Sequence, residues 1–533
     1  MARVWRAQPQ QVEQSVRRRL ERLPVTAVAL ARALSVLGPE GGLRYASALA
    51  EIAEDVAAEA ADTLVGASLV DASRPLQFTH PLLRTAVYSS VLPATRAVRH
   101  RHAAELLAAD GVGAEEVAAH LLRTEPSANP WVVQVLRDAA TRALETGAAE
   151  SAARYLARAL AEPAPPDVRA EVLHELGSAE ARTGLETGID HLREALAAAD
   201  VPQVYGSVAR ELALALNNTG RTAEALELLD QAIAVVEEED RELALLLEGD
   251  LLGYAQFGES AFGPLRERLS GKQQWRRAAT PGERVLLVHR AVAHGQAGGH
   301  VIESARMAEE ALGGGRLLAE QTADSATFYT GVHMLLDAER FDLVDPALDQ
   351  ALEDARRRGS VLGFAIASTQ RSGAAYLRGA VGEAEMEIRA ALDAVHQSGW
   401  ELGLPMTLSG LLDVLIERGR LKEATDVLDR AGMAAELPEL LGFDWLLYSR
   451  GRLRLADGDL ERGLADLLQV GEHHVRSGLP PVRHNWRAVT APALAARGER
   501  ERAVAMAEDA VRDDVGTDRP LATTGMAVFG AHP

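Results

Sequence analysis

The sequence predicts an all-α protein, with a small N-terminal module followed by a long array of stacked helix pairs. Three observations carry this reading. The 533 residues exceed what one core organises, at roughly 150 residues per domain. Aromatic residues make up only 4% of the chain while Ala, Leu, Arg and Glu dominate, a mixture of good helix formers with few of the side chains that strands favour. A phrase made of a helix end, a glycine and the start of an amphipathic helix recurs along the chain.

Residues 1–125 do not follow that recurrence. A helix from Gln11 to Arg22 leads into LPVTAVALARALSVLG (23–38) and YASALAEIAEDVAAEAADTLVGASLV (45–70), then a polar turn DASRP and the extended stretch LQFTH (76–80). Three helices, a turn and an extended pair predict a winged-helix-like module. The next segment, PLLRTAVYSSVLPATRAVRHRHAAELLAA (81–109), reads as two helices broken before Pro93, because proline is accepted in a first helical turn and not in a helix interior.

Residues 126–533 form the array. The phrase appears as LNNTGRTAEALELLDQAI (216–233), LIERGRLKEATDVLDRA (415–431), LRLADGDLERGLADLLQV (453–470) and LAARGERERAVAMAEDAV (494–511). Its turn glycines are Gly147, Gly184 and Gly220, then Gly379, Gly419, Gly458 and Gly498, at spacings of 36 to 40 residues. Gly298 sits near the midpoint of the long gap, which predicts a continuous array of roughly nine or ten pairs from near residue 130. Five positions after the glycine stands a small residue (Ala152, Ala225, Ala424, Gly463, Ala503), and Ala recurs at position twelve (Ala159, Ala232, Ala431, Ala510). Small side chains there let two helices approach closely. Ile189 and Val470 break the pattern, and PAPP (163–166) is expected as a turn between pairs. Irregular stretches are expected over 253–282 and 295–316, which are rich in Gly, Pro and Gln. The array resembles tetratricopeptide repeats, with a longer period than the usual one and without most of their aromatic positions. That resemblance implies a right-handed superhelix with a concave, ligand-accepting face.

Composition excludes several kinds of chemistry. A net charge of -21 repels polyanions, and residues 1–107 hold 13 Arg against 10 Asp and Glu, so no direct nucleic-acid contact is expected. The chain has two lysines, Lys272 and Lys422, and no cysteine, which excludes disulfides, thiolate metal sites and a cysteine nucleophile. The lack of an 18-residue apolar run or a leader-like N-terminus predicts a cytoplasmic protein that does not enter membranes. The Gly271-Lys272 pair is followed by Gln273 and has Arg266 where a P-loop needs its first glycine, and HExxH and GxSxG are absent, so no enzymatic activity is expected.

Three groups of residues invite a functional reading. His100 and His102 are two positions apart and point about 200° away from each other on a helix, so they do not share a metal ion. Arg84, Arg96, Arg99 and Arg101 are expected to be solvated or paired with Glu, and His473, His474 and His484, near a turn, to be solvated or hydrogen-bonded. Trp131, Trp275, Trp400, Trp445 and Trp486 are expected to anchor helix pairs.

The stretch FTHPLLRTAVYSSVLPATRAVRHRHAAELL (78–107) is similar to the segment that follows the ATPase core in large ATP-binding regulators of the LuxR type. The likeness extends upstream to LERLPVTAVALARALSVLG (20–38) and downstream to VAAHLLRTEPSANPWVVQVLRDAATRALETGAAESAARYLARAL (117–160). It implies a regulatory and sensor segment of a transcriptional regulator, with an inducer, a small molecule or a protein, in the repeat groove. An ATPase module and self-association are the other partners implied. Neither a P-loop nor a C-terminal helix-turn-helix is found between residues 1 and 533, so ATP and ADP are implied only through a module outside this chain. The family uses a winged-helix histidine to sense nucleotide phosphates. His80 is the candidate here, with Arg84 one turn further on, while capping of the helix that begins at Pro81 is the competing reading. Binding of ATP to the purified chain is expected to be undetectable at micromolar concentrations by equilibrium dialysis, and tight binding would overturn the statement that no P-loop is present.

Overall fold

The computed structural model describes residues 9–38, 41–73, 75–183, 186–255, 278–296, 299–398, 400, 403–438, 441–477 and 486–517. Among them the chain is all-α apart from one two-residue antiparallel pair, β1 (Val70–Asp71) with β2 (Gln77–Phe78), which sets Val70 opposite Phe78. It divides into two compact units, Met1–Leu144 with Ser151–Val172, and Glu145–Glu150 with Leu173–Pro533.

In the first unit, α1 (Pro9–Leu20), α2 (Val25–Leu37), α3 (Leu43–Ala50) and α4 (Glu54–Gly66) precede the strand pair. Then come α5 (Pro81–Ser89), α6 (Pro93–Ala109) and α7 (Ala114–Leu121). Proline opens both α5 and α6, so the break expected before Pro93 is present. The core gathers Val16 of α1, Leu30 and Leu34 of α2, Leu64 of α4 and Val87 of α5. A second cluster joins Ala104 and Leu121 to Val132 and Leu136 of α8 (Pro130–Glu145) and Ala159 of α9 (Ala149–Leu160).

From α8 onward the chain folds as tetratricopeptide-like pairs. After α8/α9 come α10 (Pro166–Ala181) with α11 (Thr187–Ala197), and α12 (Pro202–Asn218) with α13 (Thr222–Val236). Helix α14 (Arg241–Ala255) follows, and residues 256–277 lie outside the described part. The array resumes with α15 (Pro281–Gln296) and α16 (Val301–Leu312), a short α17 (Arg316–Gln321), and α18 (Ala326–Asp337) with α19 (Phe341–Arg358). It ends with α20 (Val361–Leu377) and α21 (Val381–Ser398), α22 (Gly403–Glu417) and α23 (Leu421–Arg430), α24 (Asp444–Ala456) and α25 (Leu460–Ser477), and α26 (Trp486–Ala496) with α27 (Arg500–Thr517). Nine pairs are complete among the described residues. The PAPP stretch lies in the turn from α9 to α10 and opens α10.

The recurring phrase has a backbone cause. Gly220, Gly379, Gly419, Gly458 and Gly498 all hold a left-handed φ between 67° and 94°. After each, the next N–H reaches back to a carbonyl of the finished helix, as in Arg420 to Leu415 and Asp459 to Arg454. This is the glycine-dependent helix stop that satisfies otherwise orphaned carbonyls. Gly184 and Gly298 fall outside the described residues. In the irregular stretch 295–316, Gly313, Gly314 and Gly315 are all left-handed, turning the chain from α16 into α17.

The small residues are the contact points within pairs. Ala152, Ala225, Ala424 and Ala503 are buried, as expected. Gly463 faces Gly451, whose carbonyl oxygen would lie 3.0 Å from a Cβ placed on Gly463. The apparent exception at Ile189 is a slip of one position. Gly188 takes the contact, and a Cβ there would lie 2.7 Å from the Ala181 nitrogen and 2.8 Å from the Gly177 carbonyl oxygen. Val470 is fully buried at its position.

Between α23 and α24 a long connection is tied down by charge. Arg450 and Asp466, both buried, form a two-point ion pair at 2.8 and 2.9 Å, and Arg450 also donates to the Met433 carbonyl at 2.9 Å. Arg454 completes the arrangement by donating to Asp466 at 2.7 Å and to the Ala434 carbonyl at 2.8 Å. Leaving one partner of such a pair buried alone costs about 3–5 kcal/mol.

Because the obstacles to a side chain at Gly188 are backbone atoms, Gly188→Ala is expected to force α10 and α11 apart and to cost about 1–3 kcal/mol. Thermal unfolding measures this, with Gly373→Ala, where nothing lies within 4 Å of the added methyl, as the control expected to be neutral or stabilising.

Candidate functional site

First helices of successive pairs adjoin one another in the second unit, α20 with α22 and α22 with α24 among them. Polar side chains cross between them at intervals of one repeat. Thr369 of α20 meets Thr407 of α22 at 3.2 Å, and Ser409 of α22 meets Ser449 of α24 at 2.8 Å. Earlier in the array, Arg210 of α12 donates to Asp250 of α14 at 2.5 Å and to Gln321 at the end of α17.

The densest such crossing centres on Arg452 of α24. Its guanidinium donates to Asp413 at 2.7 Å and to Glu417 at 2.8 Å, both on α22, and to the Tyr376 hydroxyl of α20 at 3.4 Å. Tyr376 in turn donates to Glu417 at 3.2 Å. The guanidinium carbon lies 5.9 Å from the centre of the Tyr448 ring, within range of a cation–π contact. Burial opposes the Arg452 charge, but Asp413, then Tyr448 and Tyr376, hold its pKa well above the ordinary arginine value. Burial pushes the Tyr448 hydroxyl up to about 12 and raises that of Tyr376, so both are protonated donors at neutral pH. The Glu417 side chain keeps 35% of its surface exposed, whereas burial raises the Asp413 pKa against the pull of Arg452, so the network is held in place by its members and meets solvent chiefly at Glu417. Fixed charges, hydroxyls and rings on one helical face can recognise a polypeptide, and nothing in the arrangement activates a nucleophile.

No groove residue stands out in the sequence by its type, but the register carries a signal. Asp413 and Arg452 both lie six positions before their turn glycines, Gly419 and Gly458, so the register of the array already placed them on equivalent faces.

His80 is exposed at the N-terminus of α5, where its Nδ1 accepts the Leu82 N–H at 3.1 Å, so it does cap the helix. Arg84 is half-buried, donates from Nε to the Ser35 carbonyl at 3.2 Å and packs against Gly38. The other arginines correct the expectation of a solvated or Glu-paired face. Arg96 lies over the Tyr88 ring at 4.8 Å, Arg101 donates to the Glu125 carbonyl at 3.3 Å, and Arg99 is half-buried beside Arg32. His100 is buried, its Nε2 2.9 Å from the Tyr88 hydroxyl and its Nδ1 2.9 Å from Nδ1 of His120 on α7. Helix α6 faces His100 inward toward α7, so its partners are a tyrosine and a second histidine.

His473 and His474 are buried near the C-terminal end of α25, and His473 takes the hydrogen-bonded outcome of the two expected, its Nδ1 2.7 Å from Asp444 of α24. His484 and Trp275 lie outside the described residues. Trp486 is buried against Gly471, and Trp131 and Trp400 pack against core clusters, in keeping with anchoring. Among the described residues no helix is long and apolar enough to cross a membrane.

No protein-family model and no curated protein matches this chain. Among solved structures it is similar to yeast Tom70, at 12% identity over 75% of this chain and 95% of that one, with a TM-score of 0.35. It is similar to a signal-transduction ATPase with numerous domains from Pyrococcus horikoshii that carries a tetratricopeptide repeat sensor, at 13% identity over 91% of this chain and 66% of that one, TM-score 0.39. A third similarity is to the Cut9–Hcn1 hetero-tetramer of the APC/C, at 10% identity over 84% and 92%, TM-score 0.33. The assignment to tetratricopeptide-like repeats rests on the helix pairs themselves.

Burial, then His120 and the guanidiniums of Arg123, Arg96 and Arg84, lower the His100 pKa to about 3, and burial with Arg123 and Arg84 lowers that of His120 to about 4. Both folded values lie below the unfolded one of about 6.5, so the unfolded chain binds more protons in between and stability falls with the pH below about 6.5. Urea unfolding between pH 7.5 and 4.5 is expected to show that loss, and the H100L/H120L double variant to flatten it.

Proposed function

We propose that this chain is a repeat scaffold that binds a partner protein through the face shared by α20, α22 and α24. The observation that carries the proposal is the Arg452 network, a set of charges, hydroxyls and rings fixed across three first helices with the Glu417 carboxylate at its exposed edge. Interfaces favour tyrosine and arginine in such positions because they supply contact area and directional hydrogen bonds at low entropic cost. The test is a photo-reactive amino acid at Tyr448, compared with one at Met386, an exposed residue of α21. A discrete protein adduct is expected from position 448 in cells that make the protein and none from position 386. Equal labelling at both positions would count against the proposal.

A second reading is the regulatory and sensor segment of a LuxR-type transcriptional regulator. It is favoured by the resemblance over residues 11–160, and helices followed by the short β1–β2 pair are in keeping with it, although four helices, α1–α4, precede the pair where three were expected. In that reading the first-helix face receives the inducer, and His80 and Arg84 meet the phosphates of a nucleotide held by a separate ATPase module. The encoding DNA separates the two readings. A P-loop in frame before Met1 or a helix-turn-helix after Pro533 supports the regulator, whereas stop and start signals on both sides with an independent promoter support the free-standing scaffold.

A further inference from the structure

Which partner suits the Arg452 face, taken as a binding face, follows from how α20, α22 and α24 direct their charges. Three of the four arginines on these helices turn toward second helices. Arg371 donates to Asp349 of α19 at 2.9 Å, and Arg450 and Arg454 donate to Asp466 of α25. Arg452 stays on the face, where it meets two carboxylates, Asp413 and Glu417. Asp444, the other carboxylate on these helices, is buried against His473 of α25. Asp413 is the more buried partner of Arg452 and forms the closer ion pair, at 2.7 Å, which leaves Glu417 the less neutralised of the two at the exposed edge. The bonding at Glu417 also leaves an acceptor open. Arg452 and Tyr376 both donate to Oε1, at 2.8 and 3.2 Å, whereas Oε2 receives no hydrogen bond among the described residues. The half-buried Tyr376 ring lies beside it, and Gly373, one turn earlier on α20, leaves open space where a side chain would stand.

We propose that the partner protein is basic at this point, and that Glu417 Oε2 receives one of its lysine or arginine side chains, with the aliphatic stem along the Tyr376 ring. A cation with a long apolar stem matches this combination of a charged acceptor, a ring and open space. Attraction at longer range has the same sign, because a net charge of -21 draws a basic segment toward the chain and repels an acidic one. A metal ion requires several convergent ligands, and no group of three His, Asp or Glu suited to one occurs among the described residues.

Fluorescence anisotropy of the full chain with a labelled hexa-arginine peptide tests the proposal, with E417Q set beside E238Q, which alters an exposed carboxylate just after α13. Each variant removes one negative charge, so the long-range attraction falls equally and only the local contact differs. E417Q is expected to weaken binding roughly tenfold, the worth of one hydrogen bond to a charged group, and E238Q to leave it at the wild-type value. The amide oxygen in E417Q still accepts from Arg452 and Tyr376, so the melting temperature is expected to stay unchanged. E417D keeps the charge and should retain binding. Equal weakening in E417Q and E238Q, unchanged binding in E417Q, or no saturable signal up to about 100 μM peptide would overturn the basic partner. Failure of the face itself reads differently, as absence of a protein adduct from position 448. An adduct there together with unchanged peptide binding in E417Q would leave the face standing and remove only the charge assigned to its partner.

Discussion

The constraint on which the array depends is how closely two helices of a pair can approach. Where Gly177 meets Gly188 and Gly451 meets Gly463, a methyl group would reach the backbone of the other helix, and at Ala152, Ala225 and Ala424 the methyl group itself fills the space. Close approach brings the flanking leucines and alanines into contact, and dispersion across those contacts is the main return for ordering the chain. A protein with 4% aromatic residues has little choice in this respect. It lacks the large side chains that would let a wider gap be filled, so it builds its core from many thin contacts in place of a few thick ones.

Polar crossings between first helices supply what thin apolar contacts do not, namely direction. Dispersion between two alanine-rich surfaces changes little when one slides along the other, whereas Thr369 to Thr407, Ser409 to Ser449 and Arg210 to Asp250 are satisfied only at one offset. The Arg452 network belongs to the same series and is its most elaborate member. Its recognition surface is therefore an enlargement of a structural device already present in the array, which explains how a binding face can exist without a separate insertion or loop to carry it.

What the sequence revealed follows from the range of the interaction responsible. The turn glycines and the small residues after them act over a few positions, so their spacing alone placed most helix pairs correctly. Gly188 shows the limit: five positions after Gly184 stands Ile189, which breaks the pattern, and only the backbone contact with Gly177 reveals that the close approach lies one residue earlier. The histidines show a longer range. Near a turn both solvation and a hydrogen bond are open to His473, and which of them holds is decided by Asp444, 29 residues away on another helix. His100 is similarly decided by Tyr88 and His120, and Arg452 by residues 35 to 76 positions distant. The extended stretch LQFTH was legible as strand, yet only Gln77 and Phe78 pair, since β1 offers just two residues in register.

The clasp formed by Arg450, Arg454 and Asp466 has a consequence for how the array tolerates change. The connection between α23 and α24 is longer than the turns around it, and a segment of that length normally invites cleavage and insertion. Here its carbonyls at Met433 and Ala434 are held by side chains from the following pair, so the connection behaves as part of that pair's surface. Domains spliced into this array would be accommodated more readily at the short glycine turns, whose ends already sit side by side, than at this longer connection.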